Sequence, residues 1–260
     1  ERFVLNKTQY EALLERAGQY AFTSLQYPDY DELCACDVFA DGEAGLALCD
    51  PSRAPARVHW AANGAEALKT LLTKAPHTAI IPFVPQAFVP VLAGAGFEVF
   101  AEFADHFNMD LARTAAGLAP HEPRFLRGEE AEEAAALSAA VRGQSRGFLG
   151  ETPAFFLEWM QEGDVLAEHE HGELSGFCCV SIYNGGSTLW VREIAVHPQS
   201  QGKGVGRRLL EEAILYGAAR GATKGFLAVD VHNDRAIGLY ESLGFARRGG
   251  ESEIQMARGM

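Results

Sequence analysis

The order of apolar and polar residues divides residues 124–260 into alternating strands and helices. Short apolar runs bounded by turn residues indicate strands, and apolar residues three and four positions apart indicate helices. Helices are predicted at 129–141, 153–161, from the glycine-rich loop to about 220, and at 234–243. Strands are predicted at 124–127, 164–168, 174–183, 188–196 and 225–231, and two short strands close the chain. Asn184-Gly185-Gly186 predicts a turn that makes its two flanking strands antiparallel.

The first half repeats this pattern in a weaker form. Residues 79–84 predict a strand, a helix follows, and Gly96-Phe97 ends it as Gly244-Phe245 ends the later helix. Residues 104–109 mirror the closing strand around 254–256. We therefore predict an internal repeat, although a shared α/β order alone could produce so weak a likeness.

The glycine-rich loop contains the strongest chemical signal in the chain. A β-branched run ends at Pro198, and Gly202, Gly204 and Gly206 lie between it and the next helix. Glycines allow a ligand to approach the backbone closely, and the first N–H groups of a helix have no intrahelical partner. Lys203, Arg207 and Arg208 add positive charge. This combination predicts a site for a ligand that carries phosphate.

Two common phosphate motifs do not fit. A nucleotide P-loop requires G-x-x-x-x-G-K-[ST], but here Lys203 is followed by Gly204. The glycines follow G-x-G-x-G rather than the dinucleotide pattern G-x-G-x-x-G, and no acidic residue ends a second strand at the expected distance.

Residues 201–206 instead fit Q/R-x-x-G-x-G/A. An I-A-V-x-P run precedes them, Asn233 follows one strand later, and Leu239-Tyr240 and Gly244-Phe245 complete the order. This set resembles the acetyl-CoA signature of the GNAT acetyltransferase superfamily, and the resemblance covers about half the chain.

The resemblance implies an α/β (α+β) fold of two GNAT-like domains, each with a mixed, mostly antiparallel sheet flanked by helices. We expect a degenerate domain at 1–123 and a catalytic domain at 124–260, joined by a Pro-, Ala- and Gly-rich linker at 113–123. Alignment of the repeats puts Pro85 at the position of Asn233 and Leu92 at that of Tyr240, and Gly64 is the only glycine of 61–67. The first domain therefore lacks the cofactor loop and the phenol.

The resemblance also implies roles for individual residues. Acetyl-CoA would be the acyl donor, with no metal. Its pantetheine arm would lie against a bulged strand and its pyrophosphate against the loop. The implied cofactor-binding residues are Ile194, Ala195, Val196, Gln201, Gly202, Lys203, Gly204, Val205, Gly206, Arg207 and Asn233. Asn233 could equally cap the following helix.

Two residues are candidates for proton transfer. Tyr240 matches the family tyrosine that protonates the departing thiolate, and a phenol suits that acid role. Glu193 precedes the I-A-V run and could deprotonate the amine, directly or through water, or it could form an ordinary ion pair.

The resemblance implies that the acceptor is a primary amine of a small molecule or peptide, and residues 142–152 with Phe148, Glu151 and Trp159 are candidates for shaping its pocket. A non-catalytic CoA-binding scaffold and a transferase that uses aminoacyl-tRNA are the alternatives. The intact Asn233 and Tyr240 disfavour the first, and the acidic chain with its intact CoA loop disfavours the second.

The bulk composition narrows the partners. The net charge of −13 disfavours nucleic acid, because phosphate contacts require a basic face. No apolar run is long enough to span a membrane, and Glu1-Arg2-Phe3 lacks a signal-peptide pattern, so we expect a cytoplasmic monomer or homodimer. The five cysteines lack zinc spacing and are expected to be reduced. His169 and His171 could share one strand face, but a polar hairpin turn explains them better than a metal site.

Overall fold

The computed structural model of the protein describes residues 6–28, 30–120, 122–146, 148, 150–250 and 252–260. The first three residues, on which the absence of a signal peptide was judged, lie outside this part of the chain, as do residues 121, 147 and 149 of the predicted linker and acceptor segment. None of the described helices is both long and apolar enough to cross a membrane.

The described helices are α1 Lys7–Ala17, α2 Tyr30–Cys34, α3 Ala65–Leu72, α4 Val89–Ala93, α5 Leu111–Ala116, α6 Ala131–Ala140, α7 Pro153–Glu162, α8 Val205–Ala219 and α9 Asp234–Ser242. The described strands are β1 Phe22–Thr23, β2 Asp37–Gly42, β3 Gly45–Cys49, β4 Ala56–Ala62, β5 Ala79–Val84, β6 Glu98–Asn108, β7 Asp164–Glu170, β8 Glu173–Tyr183, β9 Thr188–Val196, β10 Lys224–Asp230, β11 Ala246–Arg247 and β12 Glu253–Arg258.

Residues 1–102 and 251–260 form one compact unit, and residues 103–250 form another. In the first unit the strands follow the order β2-β3-β4-β5-β12, and β1 pairs with β4. Most neighbours are antiparallel, but β4 and β5 are parallel. The main apolar core of this unit packs around Trp60, Leu68, Ile81, Phe97 and Met256.

In the second unit the strands follow the order β6-β10-β9-β8-β7. Here β10 is antiparallel to β6 and parallel to β9. Strand β8 contributes Cys178 and Val180 to the core under α8, and Phe177 and Cys179 to the core under α6 and α7. Because both faces of β8 are covered, its sequence is a continuous apolar run rather than an alternating one.

Local chemistry explains where several elements begin. The Thr152 hydroxyl accepts a hydrogen bond from the Phe155 N–H at 3.2 Å, so α7 begins at Pro153 as predicted. The predicted strand at 124–127 is wrong, since only a single bridge joins Phe125 to Leu166 before a 3₁₀ turn begins at Gly128. The predicted linker is also partly helical, because α5 extends to Ala116 and buries Leu111 against α8.

The two compact units divide the chain differently from the predicted domains 1–123 and 124–260, which remain a prediction about its repeats. The residues predicted to mirror each other, 104–109 and 254–256, both lie in or at the end of strands. The last six residues of β6 pair with β10 in the second unit, whereas β12 pairs with β5 in the first. Each closing strand thus belongs to the compact unit that contains the other half of the sequence.

This exchange predicts how fragments behave. A fragment of residues 124–260 lacks β6, which pairs with β10 from Phe103↔Asp230 to Asn108↔Gly225. It also keeps β12 but lacks its partner β5. The edge of β10 and the whole of β12 are then without these partners, and unpaired strand edges favour aggregation. We expect this fragment to be insoluble or to unfold without cooperativity, while residues 103–250 fold. Circular dichroism and size-exclusion chromatography of both fragments test this, and a cooperative, monomeric 124–260 fragment would contradict it.

Candidate active site

A cleft opens where β9 and β10 separate. The two strands are paired from Lys224↔Thr188 to Phe226↔Trp190, and these described strands are not paired with each other beyond that point. On its other side β9 has one extra residue, Arg192, because the register with β8 shifts between Cys179 and Val180. A bulge of this kind bends a strand and increases its twist, which accounts for the divergence.

Ile194, Ala195 and Val196 line the open edge of β9. Ile194 and Val196 pack towards α8 and α9, whereas Ala195 is buried on the side of α6 and α7. In the part of the chain that the structure describes, the edge of β9 that faces β10 has no strand partner after Trp190. This edge can therefore bind an extended ligand through backbone N–H and C=O groups.

The loop after β9 leads directly into α8. Gly202 and Gly204 have φ of 79° and 83°, a left-handed conformation that favours glycine. Gly204 is the N-cap of α8, and no side chain satisfies the helix end there. The N–H groups of the first helical turn therefore remain available to an anion.

Val205 and Gly206 have different roles in this turn. The Val205 side chain is buried in the core, so only its backbone could contact a ligand. A Cβ at position 206 would meet the side chain of Val196 at 3.5 Å and that of Leu239 at 3.7 Å. These are ordinary packing distances, so position 206 lies in contact with both β9 and α9.

The positive charge expected of this loop is largely offset. The three cations pair with carboxylates: Lys203 with Glu170 at 3.3 Å, Arg207 with Glu211 at 3.2 Å and Arg208 with Glu168 at 3.0 Å. Lys203 and Glu170 also line a pocket of about 450 Å³ between α6 and the β7–β8 turn, with no lining residue from β10. Attraction for an anion in the cleft therefore depends mainly on the backbone N–H groups of the loop.

Gln201 connects three parts of the site. Its Nε2 donates to the Val196 carbonyl at 3.0 Å and to Gln144 Oε1 at 2.8 Å, while its Oε1 accepts from Arg235 at 3.2 Å. One amide side chain thus ties β9 to α9 and to the segment between α6 and α7. It also occupies the Val196 carbonyl, so this backbone acceptor of β9 already has a partner.

The predicted acceptor segment is held against the end of β10. Arg146 donates to both carboxylate oxygens of Asp230, at 2.7 Å from Nη2 and 3.1 Å from Nε, and the Arg146 backbone N–H donates at 2.9 Å. Burial alone would raise the pKa of Asp230, but these hydrogen bonds and that from the His232 N–H lower it. With Gln144 bonded to Gln201 after β9, this segment is attached to both walls of the cleft.

Glu193 lies in the bulged part of β9 and is nearly buried. Its side chain is 9% exposed, and its Oε1 has no hydrogen-bond partner among the described residues. Burial, and secondarily the charge of Glu151, raise the pKa of Glu193 to about 8, although Arg192 and the Ser138 hydroxyl oppose the shift. A carboxylate with such a pKa is a far stronger base than an exposed one.

Arg192 fixes the surroundings of this carboxyl group. Its guanidinium lies 4.2 Å from the centre of the Phe155 ring and donates to Glu151 at 2.9 Å. It also contacts Glu193 at 3.5 Å. The aromatic face and the two carboxylates hold the arginine in one place, so the charge beside Glu193 is fixed. Phe148 and Trp159 pack in the same apolar cluster.

Tyr240 lies on α9, is partly buried, and packs against the core under α8. No hydrogen-bond partner for its hydroxyl occurs among the residues that the structure describes. Burial, and then the nearby Cys178, raise its pKa well above the usual value. Because Cys178 is the register partner of Ile194, the phenol lies near the central part of β9. A phenol with a raised pKa stays protonated and can act only as a proton donor.

Asn233 caps α9, since its side chain accepts from the Ala236 N–H at 3.2 Å. This is one of the two roles considered for it, and contact with a cofactor remains a prediction.

His169 forms a hydrogen bond of 2.8 Å with Glu130, while His171 lies in the turn with φ of 58°. Within the described ranges no group of three His, Cys, Asp or Glu residues is placed to hold a metal ion.

Sequence reasoning included Gln144 and Arg146 in the predicted acceptor segment 142–152 but did not find their partners. Asp230 carries no motif, and its pairing with Arg146, like that of Gln144 with Gln201, depends on contacts between distant segments. Arg192 could have been suspected from its place beside Glu193, but its position as the extra residue of a bulge could not.

The match to a known family includes the whole β9-to-α9 region. Residues 132–245 match the acetyltransferase (GNAT) family model. These residues form a GNAT acetyltransferase domain. The GNAT domain contains Glu193, the glycine loop, Asn233 and Tyr240, so the predicted family is confirmed for residues 132–245.

Curated relatives of the GNAT domain carry several acetyltransferase names. A mycothiol acetyltransferase of Amycolatopsis mediterranei is 32% identical over 38% of this chain and 35% of the relative. A streptothricin acetyltransferase of Streptomyces lavendulae is 37% identical over 32% and 44%. The ribosomal protein bS18-alanine N-acetyltransferase of Escherichia coli is 40% identical over 29% and 50%. The chain thus spans half or less of the length of these relatives.

Solved structures resemble the chain over nearly its whole length. A tandem GNAT protein from the clavulanic acid biosynthesis pathway matches 96% of this chain and 93% of its own, with a TM-score of 0.59 and 16% identity. A GNAT-family acetyltransferase of Colwellia psychrerythraea matches 98% of both chains with a TM-score of 0.57 and 12% identity. These likenesses concern the fold, and they confirm the predicted class of two GNAT-like domains.

Proposed function

We propose that this protein is an N-acetyltransferase that moves an acetyl group from acetyl-CoA to a primary amine of a small molecule or peptide. The observation that carries the proposal is the cleft between β9 and β10, which ends at the uncapped N-terminus of α8. An extended arm fits the open strand edge, and a pyrophosphate fits the helix end.

Different residues of the cleft bind different parts of the acyl donor in this proposal. When bound, acetyl-CoA supplies the activated thioester. Backbone groups of residues 194–196 would hold its arm and polarise its carbonyl, and the loop from Gln201 to Arg207 would bind its phosphates. Positioning of two reactants in this way contributes up to about 7–11 kcal/mol.

Glu193 and Tyr240 perform opposite proton transfers in this proposal. Glu193 accepts a proton from the ammonium form of the acceptor, and its raised pKa makes it a strong base. At pH 7 a group with a pKa near 8 is ionised in about one tenth of the molecules. Tyr240 stays protonated and donates to the departing thiolate.

In this proposal the acceptor binds beside Phe155, Arg192 and Glu151, which surround Glu193. The names of the relatives include a small-molecule acceptor, streptothricin, and a protein acceptor, the alanine of ribosomal protein bS18. We therefore propose to measure thiol release from acetyl-CoA with a panel of small amines and peptides with free N-termini. Release above the hydrolysis background supports the proposal, and binding of acetyl-CoA without release for any acceptor contradicts it.

Four further properties remain predictions: the cytoplasmic location, the state of monomer or homodimer, and the absence of nucleic-acid partners and of membrane partners.

Tyr240→Phe tests the proton donor. The ring keeps its packing and only the hydroxyl is lost, so we expect kcat to fall about 100-fold while the Kd for acetyl-CoA changes little. Steady-state kinetics and titration calorimetry measure the two quantities. Tyr216→Phe is the matched control. The Tyr216 hydroxyl donates a hydrogen bond of 2.7 Å to Asp164, and this pair lies outside the cleft. Unchanged turnover in Tyr240→Phe would mean that another group protonates the thiolate.

Glu151→Gln tests whether the charge of Glu151 raises the pKa of the proposed base, Glu193. The charge of Glu151 raises the pKa of Glu193, whereas the charge of Arg192, which contacts both carboxylates, lowers it. We expect the variant to lower the pKa of Glu193, so the acidic limb of the pH–kcat/KM profile moves to lower pH. A limb that moves upward or stays in place would show that Glu151 does not act on the group that titrates.

A further inference from the structure

The first compact unit contains a second divergence of parallel strands. There β4 and β5 are paired only at Ala56↔Ala79 and Arg57↔Ile80, and they separate after these two positions. A helix, α3, connects them, as α8 connects β9 to β10. The opposite edge of β4 is fully paired with β3, from Cys49↔Val58 to Gly45↔Ala62. The separation therefore opens a groove along one edge of β4, which we term the unit-1 groove.

The chain fills this groove with its own residues. Strand β1 pairs antiparallel with the free edge of β4, at Phe22↔Ala62 and Thr23↔Ala61. The Ser24 N–H donates to the Trp60 carbonyl at 2.8 Å, and the Ser24 hydroxyl accepts from the Trp60 N–H at 2.9 Å. These are the backbone groups that an extended ligand would otherwise use.

The β5 side of the groove is closed by the Trp60 side chain. This side chain is 1% exposed, and its Nε1 donates to the Pro82 carbonyl at 2.9 Å. The indole thus fills the space between the two strands and occupies a backbone acceptor on β5. Pro82 has no N–H, so β5 offers no donor at that position.

Aromatic contacts hold the filling segment in place. Phe22 packs edge-on against Phe88 with ring centres 4.9 Å apart, and Tyr27 stacks on Phe83 at 3.7 Å. Ser24 and Leu25 are almost fully buried. The segment 22–27 is therefore attached to β4 by hydrogen bonds and to the β5 side by ring packing.

We propose that segment 22–27 is an intramolecular ligand of the unit-1 groove, and that the first unit consequently binds no acyl donor. The loop after β4 agrees, because it has a single glycine, Gly64, before α3. In the second unit the equivalent edge of β9 is open, the loop before α8 has Gly202 and Gly204, and the first turn of α8 has Gly206. The chain would then have one acetyl-CoA site despite its two GNAT-like domains.

Calorimetric titration of the full chain with acetyl-CoA tests the stoichiometry. We expect one site in the wild type and none in Gly204→Glu, which disables only the second unit. Two sites, or a site that persists in Gly204→Glu, would overturn the proposal. If the wild type shows no binding, the proposed function fails, and the groove assignment is then decided by the exchange measurement below.

Hydrogen exchange followed by mass spectrometry tests the filling itself. We expect peptides that contain 22–25 and 58–62 to exchange slowly without ligand and to stay unchanged with saturating acetyl-CoA. Peptides of 191–206 should slow on binding and serve as the internal control. Rapid exchange at 22–25 without ligand, or protection of 58–62 that appears only with acetyl-CoA, would show that the groove is open to the cofactor.

Discussion

Gly204→Glu is expected to abolish the binding of acetyl-CoA. Gly204 has φ of 83° and forms the uncapped N-terminus of α8, where a pyrophosphate would bind. A carboxylate there places like charges together and blocks the helix end. Two unit charges about 4 Å apart at an effective dielectric constant of 20 repel by about 4 kcal/mol, or about three powers of ten in Kd. Titration calorimetry measures the loss.

Gly221→Glu is the matched control for this substitution. Gly221 follows the other end of α8, has φ of 87°, and a Cβ there would meet nothing within 4 Å. The variant therefore introduces the same charge and the same backbone strain away from the cleft. We expect Gly221→Glu to bind acetyl-CoA like the wild type. Similar weakening in both variants would mean that Gly204 acts through the stability of α8 and not through contact with phosphate.

Glu193→Gln is expected to lower kcat/KM by about 1,000-fold, within the usual range for loss of a general base. The amide keeps the shape of the side chain but cannot accept the proton. In the wild type kcat/KM should rise with pH until a pKa near 8, because only the ionised carboxylate is active. The variant should lose this acidic limb. Glu173→Gln, at the start of β8 and exposed, provides the control, since both properties should stay unchanged there.

Thermal unfolding gives this prediction an independent readout. Burial raises the pKa of Glu193 from its ordinary 4.5 to about 8, so the folded protein binds this proton more tightly than the unfolded chain. The resulting stabilisation is complete below pH 4.5 and is lost as pH rises through 8. We expect Glu193→Gln to gain stability relative to the wild type between pH 5 and pH 8. Normal turnover in a variant with this stability change would exclude Glu193 as the base.

The sequence alone determined the family of residues 132–245, most elements of the second half and the location of the glycine-rich loop. These features are local: the spacing of Gly202, Gly204 and Gly206, the apolar stripe of α8 and the Thr152-Pro153 helix start all lie within a few residues of one another. The signals that specify turns and helix ends operate over the same distance. The weak likeness of the first half was also visible in sequence, as a repeated order of strands and helices.

The tertiary structure alone decided which residues meet. Strand β6 pairs with β10, and β12 pairs with β5, across long stretches of the chain. The salt bridge between Arg146 and Asp230 also joins distant segments. The filling of the unit-1 groove by residues 22–27 is also a long-range pairing. A strand pairs with whichever neighbouring strand edge is free in the folded chain. The sequence of the strand itself does not specify which strand that is. The pKa of Glu193 likewise depends on burial and on Glu151, which only packing brings to it.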